Sequence, residues 1–232
     1  MREAWTFTRF WLGVIVTSCL ALALQAQGTR KGVTQGCSLS SMRQVPGPII
    51  TATGNPVLDK KIDEELGLVS ERFNVEPAFR IFQDGNTPNA FAVLENVMAG
   101  SSGTVLFGVN LMTQELAQTY WQGFSVPAII AHEVAHLVQY KKGTSLTNTR
   151  KELQADYLAG WYLQQRATAA PANLNIQAAA TSFFHKSDTA FWDPRDHGTP
   201  RERTKAFLAG LQTRSGTIES AYGASLQWIA KQ

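Results

Sequence analysis

The chain has 232 residues, of which 44% are hydrophobic and 17% are charged, and its formal net charge is +3. This length and apolar content suffice for one sizeable core and exclude large-scale disorder. The charge bias is too weak to indicate a nucleic-acid partner or an acidic membrane surface, because domains that bind either are strongly basic. We therefore expect no nucleic acid among the partners.

Residues 1–26 have the pattern of a secretory signal peptide. Arg2 and Arg9 precede an apolar run from Phe10 to Leu24, and small or polar residues follow. The run of about 15 residues is shorter than the roughly 20 that span a bilayer. An uncleaved anchor and a lipoprotein cleavage before Cys19 are the alternatives. We expect an exported protein, periplasmic or extracellular, without a transmembrane segment in the mature chain and with envelope association left open.

Residues 27–55 are rich in Gly, Ser, Thr and Pro and show no sustained periodicity. This composition predicts a linker or an irregular wrap over the domain surface. The folded body is expected to begin near Pro56 and to continue to residue 232. Signal cleavage removes Cys19 and leaves Cys37 as the single thiol, so an ordinary core and not a disulfide framework must stabilise the mature protein.

From Pro56 onward, apolar periodicity predicts a mostly helical domain with a small sheet. Apolar residues recur every three to four positions between Leu58 and Phe73, which indicates an amphipathic helix. Turn residues bound three predicted strands, at 79–83, 90–94 and 104–109. Further helices are predicted at 110–120, 127–140, 149–169, 173–185, 201–212 and 218–229.

The predicted helix from Pro127 to Tyr140 contains an HExxH zinc motif, formed by His132, Glu133 and His136. Helix positions four apart lie roughly 5 to 6 Å from each other, so both imidazoles reach one metal ion at about 2.0 to 2.1 Å. Glu133 points beside the pair. It is poorly placed as a ligand and well placed to take a proton from a metal-bound water, the role of this glutamate in metalloproteases.

A third ligand is expected from the segment KELQADYLAGWYLQQ, where Glu152 and Asp156 are four residues apart. The short connection from Gly143 to Asn148 would fold this helix back over the motif. Two imidazoles and one carboxylate leave a coordination position open, as in catalytic zinc sites. Asp156, one turn beyond Glu152, is predicted to accept the free ring N–H of a zinc-bound histidine and to fix its tautomer.

HEVAH followed by ELQAD resembles the gluzincin zinc metallopeptidases, whose third ligand is the Glu of an ExxxD pattern. Bacterial relatives of the CAAX prenyl peptidases and the small neutral zinc metallopeptidases are the most similar groups. Two flanking segments are also similar to theirs: NAFA at 89–92 and the His-x5-Arg segment HGTPRER at 197–203. The resemblance spans about residues 89–210. The connection from His136 to Glu152 is shorter than in CAAX-type members and lacks any insert that shapes the substrate site.

The resemblance implies an α+β zincin-like metallopeptidase domain, mostly helical, with a small sheet beside the active-site helix. It implies that His132, His136 and Glu152 bind Zn²⁺ and that Glu133 is the catalytic base. These residues would form one catalytic centre in a domain that spans 56–232.

The resemblance also assigns residues around this centre. The strand with Asn89 and Ala90 would pair its backbone with an extended polypeptide substrate, whereas the alternative is a plain core strand. His197 would be a second catalytic residue that donates a hydrogen bond to the oxyanion, whereas the alternative is a surface loop residue. Arg203 would support the His197 loop through a nearby acid. The expected partners of Arg203 are Asp193 and Asp196.

Together these patterns predict a zinc endopeptidase that hydrolyses peptide bonds of exported or envelope proteins. An alternative of a different class is a zinc-dependent folding or assembly factor of the cell envelope that grips extended chains and rarely cleaves them. A third is a metallohydrolase of non-peptide substrates. Measuring the turnover of protein substrates and of small amides or esters distinguishes these three functions.

Overall fold

The computed structural model describes residues 38–39, 41–86, 88–117, 125–169 and 198–232. Within them, five strands form one sheet: β1 (Ser38–Leu39), β2 (Ile49–Ile50), β3 (Ala78–Phe82), β4 (Ala90–Val93) and β5 (Thr104–Gly108). Their order is β1-β4-β5-β3-β2. β5 pairs with β4 in antiparallel orientation and with β3 in parallel orientation. At the two edges of the sheet, β1 pairs parallel with β4 and β2 pairs antiparallel with β3.

The same residues contain six α-helices: α1 (Pro56–Phe73), α2 (Val109–Ala117), α3 (Ser125–Lys142), α4 (Asn148–Ala169), α5 (Pro200–Leu211) and α6 (Ile218–Ile229). The domain is therefore α+β and mostly helical with a small sheet, as the sequence predicts. The helix predicted at 173–185 lies outside the described residues. None of the described helices combines the length and the apolar composition that a membrane span requires.

Helix α1 shows how local residues set the ends of an element. The side-chain oxygen of Asn55 accepts hydrogen bonds from the backbone N–H groups of Val57 and Leu58, and Pro56 occupies the first turn. At the other end Asn74 takes a left-handed conformation with φ of 52°. These polar residues fix both ends of α1 close to the predicted bounds.

The sheet buries both of its faces. Along β4, Ala90 and Ala92 join the large core formed with the helices, while Phe91 and Val93 join a smaller cluster on the opposite face, as the alternation of side chains along a strand requires. The bulkiest fully buried residues of the large core are Trp161, Tyr162, Phe73, Phe107 and Phe207.

The second face of the sheet is covered by the segment before α1. Leu39 belongs to the smaller cluster, and Met42 and Val45 pack against it. β1 and β2 attach this segment to opposite edges of the sheet. The described part of residues 27–55 thus lies against the sheet, which fits the predicted alternative of an irregular wrap over the domain better than a free linker. The domain boundary at Pro56 stays a prediction. Strands of two residues are too short to show periodicity in a sequence.

A largely buried network joins α1 to α4. The hydroxyl of Tyr162 donates to Glu65 Oε1 at 2.6 Å, and Arg166 Nη2 lies 2.8 Å from Glu65 Oε2. Burial and the adjacent Glu65 carboxylate raise the pKa of Tyr162, so the hydroxyl remains a donor. The network neutralises the buried Glu65 charge and fixes α4 against α1.

Helices α4 and α5 approach each other closely at two glycines. A Cβ atom on Gly160 would overlap the carbonyl of Phe207, and one on Gly210 would overlap the carbonyl of Tyr157. Glycine at both positions thus lets the two backbones touch. This close approach brings the α5 side chains into the interior beside α4.

We predict that Gly160→Ala destabilises the domain, because the added methyl group forces α5 away from α4. Overpacking of this kind typically costs about 1 to 3 kcal/mol. Gly67→Ala is the matched control, since Gly67 lies in α1 with no atom within 4 Å of the added Cβ and should be neutral or stabilising by up to about 1 kcal/mol. Urea denaturation of both variants measures the difference. Equal stability of the two variants would contradict the close packing.

Candidate metal centre

Helix α3 is buried on all sides through most of its length, between the sheet and α4. His132 and His136 are fully buried, and Glu133 is 1% exposed. The run of alanine, valine, isoleucine and leucine around them supplies the apolar surface that this burial needs. Three polar, ionisable side chains therefore lie within the core, where they require partners.

The two histidines and Glu152 of α4 come together. Glu152 Oε2 lies 3.4 Å from His132 Nε2 and 3.6 Å from His136 Nε2. The three ligand atoms all lie within 4.8 Å of one another, and the imidazole rings are perpendicular. Ligand atoms around a tetrahedral zinc ion, at bonds of about 2.0 to 2.1 Å, lie roughly 3.3 to 3.4 Å apart. The group could hold a metal ion.

Asp156 lies directly behind His132. Its Oδ1 atom is 2.9 Å from His132 Nδ1, so the nitrogen on the far side of the ring, Nε2, faces Glu152. This is the position that the sequence assigns to Asp156. When His132 is neutral, this carboxylate holds its proton on Nδ1 and leaves a lone pair on Nε2.

Arg203 reaches the site from α5. Its Nε and Nη2 atoms donate to the two carboxylate oxygens of Asp156 at 2.8 and 2.7 Å. The ion pair is therefore bidentate, and it is buried, because Arg203 is only 1% exposed. The sequence predicts Asp193 or Asp196 as its partner, and both lie outside the described residues. The pairing with Asp156 was not anticipated, because it joins residues 47 positions apart.

His136 has a neutral partner that the sequence analysis missed. Its Nδ1 atom lies 2.8 Å from the Gln139 Oε1 atom, one turn further along α3. The spacing of three residues could have indicated it, since such positions are neighbours on a helix. The two imidazoles are thus oriented by different groups, a carboxylate for His132 and an amide for His136.

These environments shift the pKa values of the site in different directions. Burial lowers the pKa of His132, but the carboxylates of Asp156, Glu152 and Glu133 around the ring together outweigh burial and raise it to about 9. Burial dominates at His136 and lowers its pKa. Burial is the largest influence on Asp156 and opposes its ionisation, but the charge and hydrogen bonds of Arg203 together with the contact to His132 outweigh burial and hold the pKa of that carboxyl below its usual range. The Asp156 carboxylate is therefore ionised at neutral pH.

Glu133 occupies the face of α3 beside the ligands. Among the described residues, neither of its carboxylate oxygens has a partner in hydrogen-bonding geometry. Burial raises its pKa to about 8, and the backbone N–H of Ala92 in β4 offsets a small part of that effect. The carboxyl group therefore lies near β4 as an unsatisfied, buried acceptor, a costly arrangement that calls for a functional explanation.

The predicted substrate strand is largely covered. Ala90 is buried, and its N–H donates to the side-chain oxygen of Asn89 at 2.9 Å. At Ala92 and Val93 the edge opposite β5 is paired with β1. A peptide that adds to this edge therefore meets a segment of the chain itself.

The predicted catalytic His197 lies outside the described residues. The next residue, Gly198, is buried with φ of 82°, and a Cβ there would contact Thr149 and Leu153 of α4. The chain therefore enters α5 across the end of α4 that carries Glu152. His197 remains a prediction.

We predict that Glu152→Ala abolishes binding of a divalent metal, measured with Zn²⁺ by metal analysis, because two imidazoles alone make a poor site. Asp156→Asn keeps a side-chain oxygen that can accept from His132 Nδ1, so it should weaken Zn²⁺ binding by only about 10- to 100-fold. Glu64→Ala removes an exposed carboxylate and should change nothing. Normal Zn²⁺ content in Glu152→Ala would show that the third ligand lies elsewhere.

We also predict that Arg203→Met strongly destabilises the protein, since it leaves the Asp156 charge buried without its counter-ion. The expected loss is about 3 to 5 kcal/mol. Arg201→Met is the matched control, because Arg201 lies in the same helix and is exposed. Denaturant unfolding compares the two, and an equal effect would rule out a special role for the Arg203 pair.

Comparison with protein-family models, with curated proteins and with solved structures finds no match for this chain. Fold and function cannot be transferred from a relative. What the chain does must be inferred from the chemistry of its own residues.

Proposed function

We propose that this protein is a zinc-dependent endopeptidase of the gluzincin type, built on a zincin-like domain. One observation carries the proposal: two imidazoles and a carboxylate converge in the core, and beside them lies the buried carboxyl of Glu133, for which the described part of the chain supplies no hydrogen-bond partner. A purely structural cluster would not need Glu133. A hydrolytic centre needs both a ligand set and a base.

The donor set supports zinc. His132, His136 and Glu152 match the His₂Glu set of catalytic zinc sites, which leaves one position open. When bound, the ion supplies a Lewis acid that polarises the substrate carbonyl and makes a water molecule more acidic. Asp156 and Gln139 hold the two imidazoles so that each presents Nε2 to the same point.

Glu133 supplies the proton transfers. Its carboxylate accepts the proton of the attacking water, and the resulting acid delivers that proton to the departing amine nitrogen. Its burial excludes bulk water from the transfer. The sequence assigns His197 to the oxyanion, and we retain that assignment as part of the proposal.

The substrate would be an extended polypeptide of an exported or envelope protein. The signal-like residues 1–26 support export to the periplasm or beyond, with a lipid anchor at Cys19 as the alternative. The position of Glu133 near the β4 backbone at Ala92 supports a peptide that approaches along β4. Asn89 and Ala90 remain proposed contacts at the start of that strand.

One observation favours a zinc-dependent folding or assembly factor as the second candidate. β1 already pairs with the β4 edge at Ala92 and Val93, so a substrate must displace it or use a shorter stretch of strand. A protein with its own segment at this edge would hold chains weakly and cleave them seldom. The rate of turnover separates the two functions.

We predict that Glu133→Gln retains zinc and abolishes peptide hydrolysis, because the amide keeps the shape of the side chain and removes the base. A peptide-library digest together with metal analysis on the same preparation measures both properties. Glu115→Gln, a buried acid in α2, controls for loss of a core carboxylate. Full activity of Glu133→Gln would reject the assignment, and an inactive wild type that binds unfolded chains would favour the folding factor.

A further inference from the structure

A chain of buried hydrogen bonds leads from His136 to the C-terminal helix. Gln139 Oε1 lies 2.8 Å from His136 Nδ1. Gln139 Nε2 donates to the Lys151 carbonyl at 2.7 Å and to Gln154 Oε1 at 3.1 Å. Gln154 Nε2 donates to Ser225 Oγ at 2.9 Å. Ser225, in α6, is fully buried, as are both glutamines. The series of hydrogen bonds therefore connects α3, α4 and α6 through side chains that are shielded from bulk solvent.

The direction of every hydrogen bond in this chain is determined by its far end. The Tyr222 carbonyl can only accept, so the Ser225 hydroxyl donates to it at 2.7 Å. Ser225 Oγ must then accept from the amide nitrogen of Gln154, which turns the Gln154 oxygen towards Gln139. The amide is thereby oriented without ambiguity.

The Gln139 amide, one step closer to the ligands, is oriented in the same way. The Lys151 carbonyl also accepts only, so it binds the Gln139 nitrogen and leaves the Gln139 oxygen facing His136. That oxygen can accept only from a protonated Nδ1. The proton of a neutral His136 is therefore on Nδ1, and the lone pair is on Nε2, the atom that faces Glu152.

We infer that Gln139 is a positioning residue that selects the metal-binding tautomer of His136, and that Gln154 and Ser225 hold its amide in the required orientation. The inference rests on the proposed function in that it assumes a metal at His132, His136 and Glu152. Helix α6 thereby acts on the metal centre through side chains that touch neither metal nor substrate.

An amide suits this position better than an acid. Three carboxyl groups, those of Glu133, Glu152 and Asp156, are already buried at the centre, and Asp156 is paired with Arg203. A negative charge behind His136 would repel those of them that are ionised, in a medium that screens charge poorly. Gln139 supplies the acceptor that the tautomer requires and adds no charge.

The test compares Zn²⁺ affinity and imidazole nitrogen chemical shifts of the full chain in wild type, Gln139→Met and Ser225→Ala. Gln139→Met keeps the side-chain volume and removes the acceptor, so we expect a loss of Zn²⁺ affinity of about 10- to 100-fold. In the metal-free protein the His136 shifts should move from the Nδ1-protonated form towards a mixture of tautomers. Ser225→Ala should act in the same direction and more weakly.

Tyr162→Phe is the matched control. It removes the buried hydrogen bond from the Tyr162 hydroxyl in α4 to Glu65. The variant should be less stable, with unchanged Zn²⁺ affinity and unchanged His136 chemical shifts. If Gln139→Met lost stability alone, with unchanged affinity and shifts, Gln139 would be a structural link between helices and the inference would fail. Should Gln139→Met not fold, unchanged His136 shifts in Ser225→Ala would overturn the inference.

Failure of the proposed function would be recognised separately. A wild-type chain that binds no Zn²⁺ would reject the zinc peptidase. The tautomer of His136 and its dependence on Gln139 would still be read from the metal-free protein, and a wild-type His136 protonated on Nε2 would overturn the inference by itself.

Discussion

The carboxylate of Asp156 is the buried charge on which the positions of three helices depend. Asp156 belongs to α4. Its carboxylate orients His132 of α3 and accepts two hydrogen bonds from the guanidinium of Arg203 in α5. An ion of this kind is tolerated in a core only when its partners are complete, because the desolvation cost is several kcal/mol. The glycine contacts between α4 and α5 bring Arg203 within reach. Helix packing and ligand orientation are therefore consequences of the same contact.

Part of this arrangement could be predicted because it is local in the sequence. The spacing of His132 and His136 places both on one helix face, and turn residues bound the short apolar runs of β3 to β5. Contacts that join distant residues gave no such signal. β1 pairs with β4 through two residues, and Arg203 could not be matched to Asp156 because several aspartates lie nearer in the sequence. Gln139 was local and was missed because an amide carries no metal-ligand pattern.

The coverage of β4 by β1 bears on how a substrate would approach. Leu39 is buried in the cluster behind the sheet, and Glu95 accepts hydrogen bonds from the Ser41 hydroxyl and the Met42 N–H at 2.8 and 2.9 Å. Exposing a buried leucine alone costs about 1.5 to 3 kcal/mol. A peptide that displaced β1 would have to recover this cost from its own pairing. A substrate that uses only the stretch before Ala92 avoids the cost and forms fewer backbone hydrogen bonds, which favours low affinity in either case.

The charge balance of the centre gives an independent reason to expect a divalent cation. With neutral imidazoles and all three carboxyls ionised, Glu133, Glu152 and Asp156 carry three negative charges against the one positive charge of Arg203, which leaves two negative charges among these described residues. Burial of Glu133, which raises its pKa to about 8, reflects the cost of that state. The negative field is also what raises the pKa of His132, once the opposing effect of burial is overcome. Protons and a dication therefore satisfy the same excess charge and must compete for it, since a ligating histidine has to be neutral. This charge balance supports the proposal of a divalent ion at the point where both Nε2 atoms and Glu152 converge.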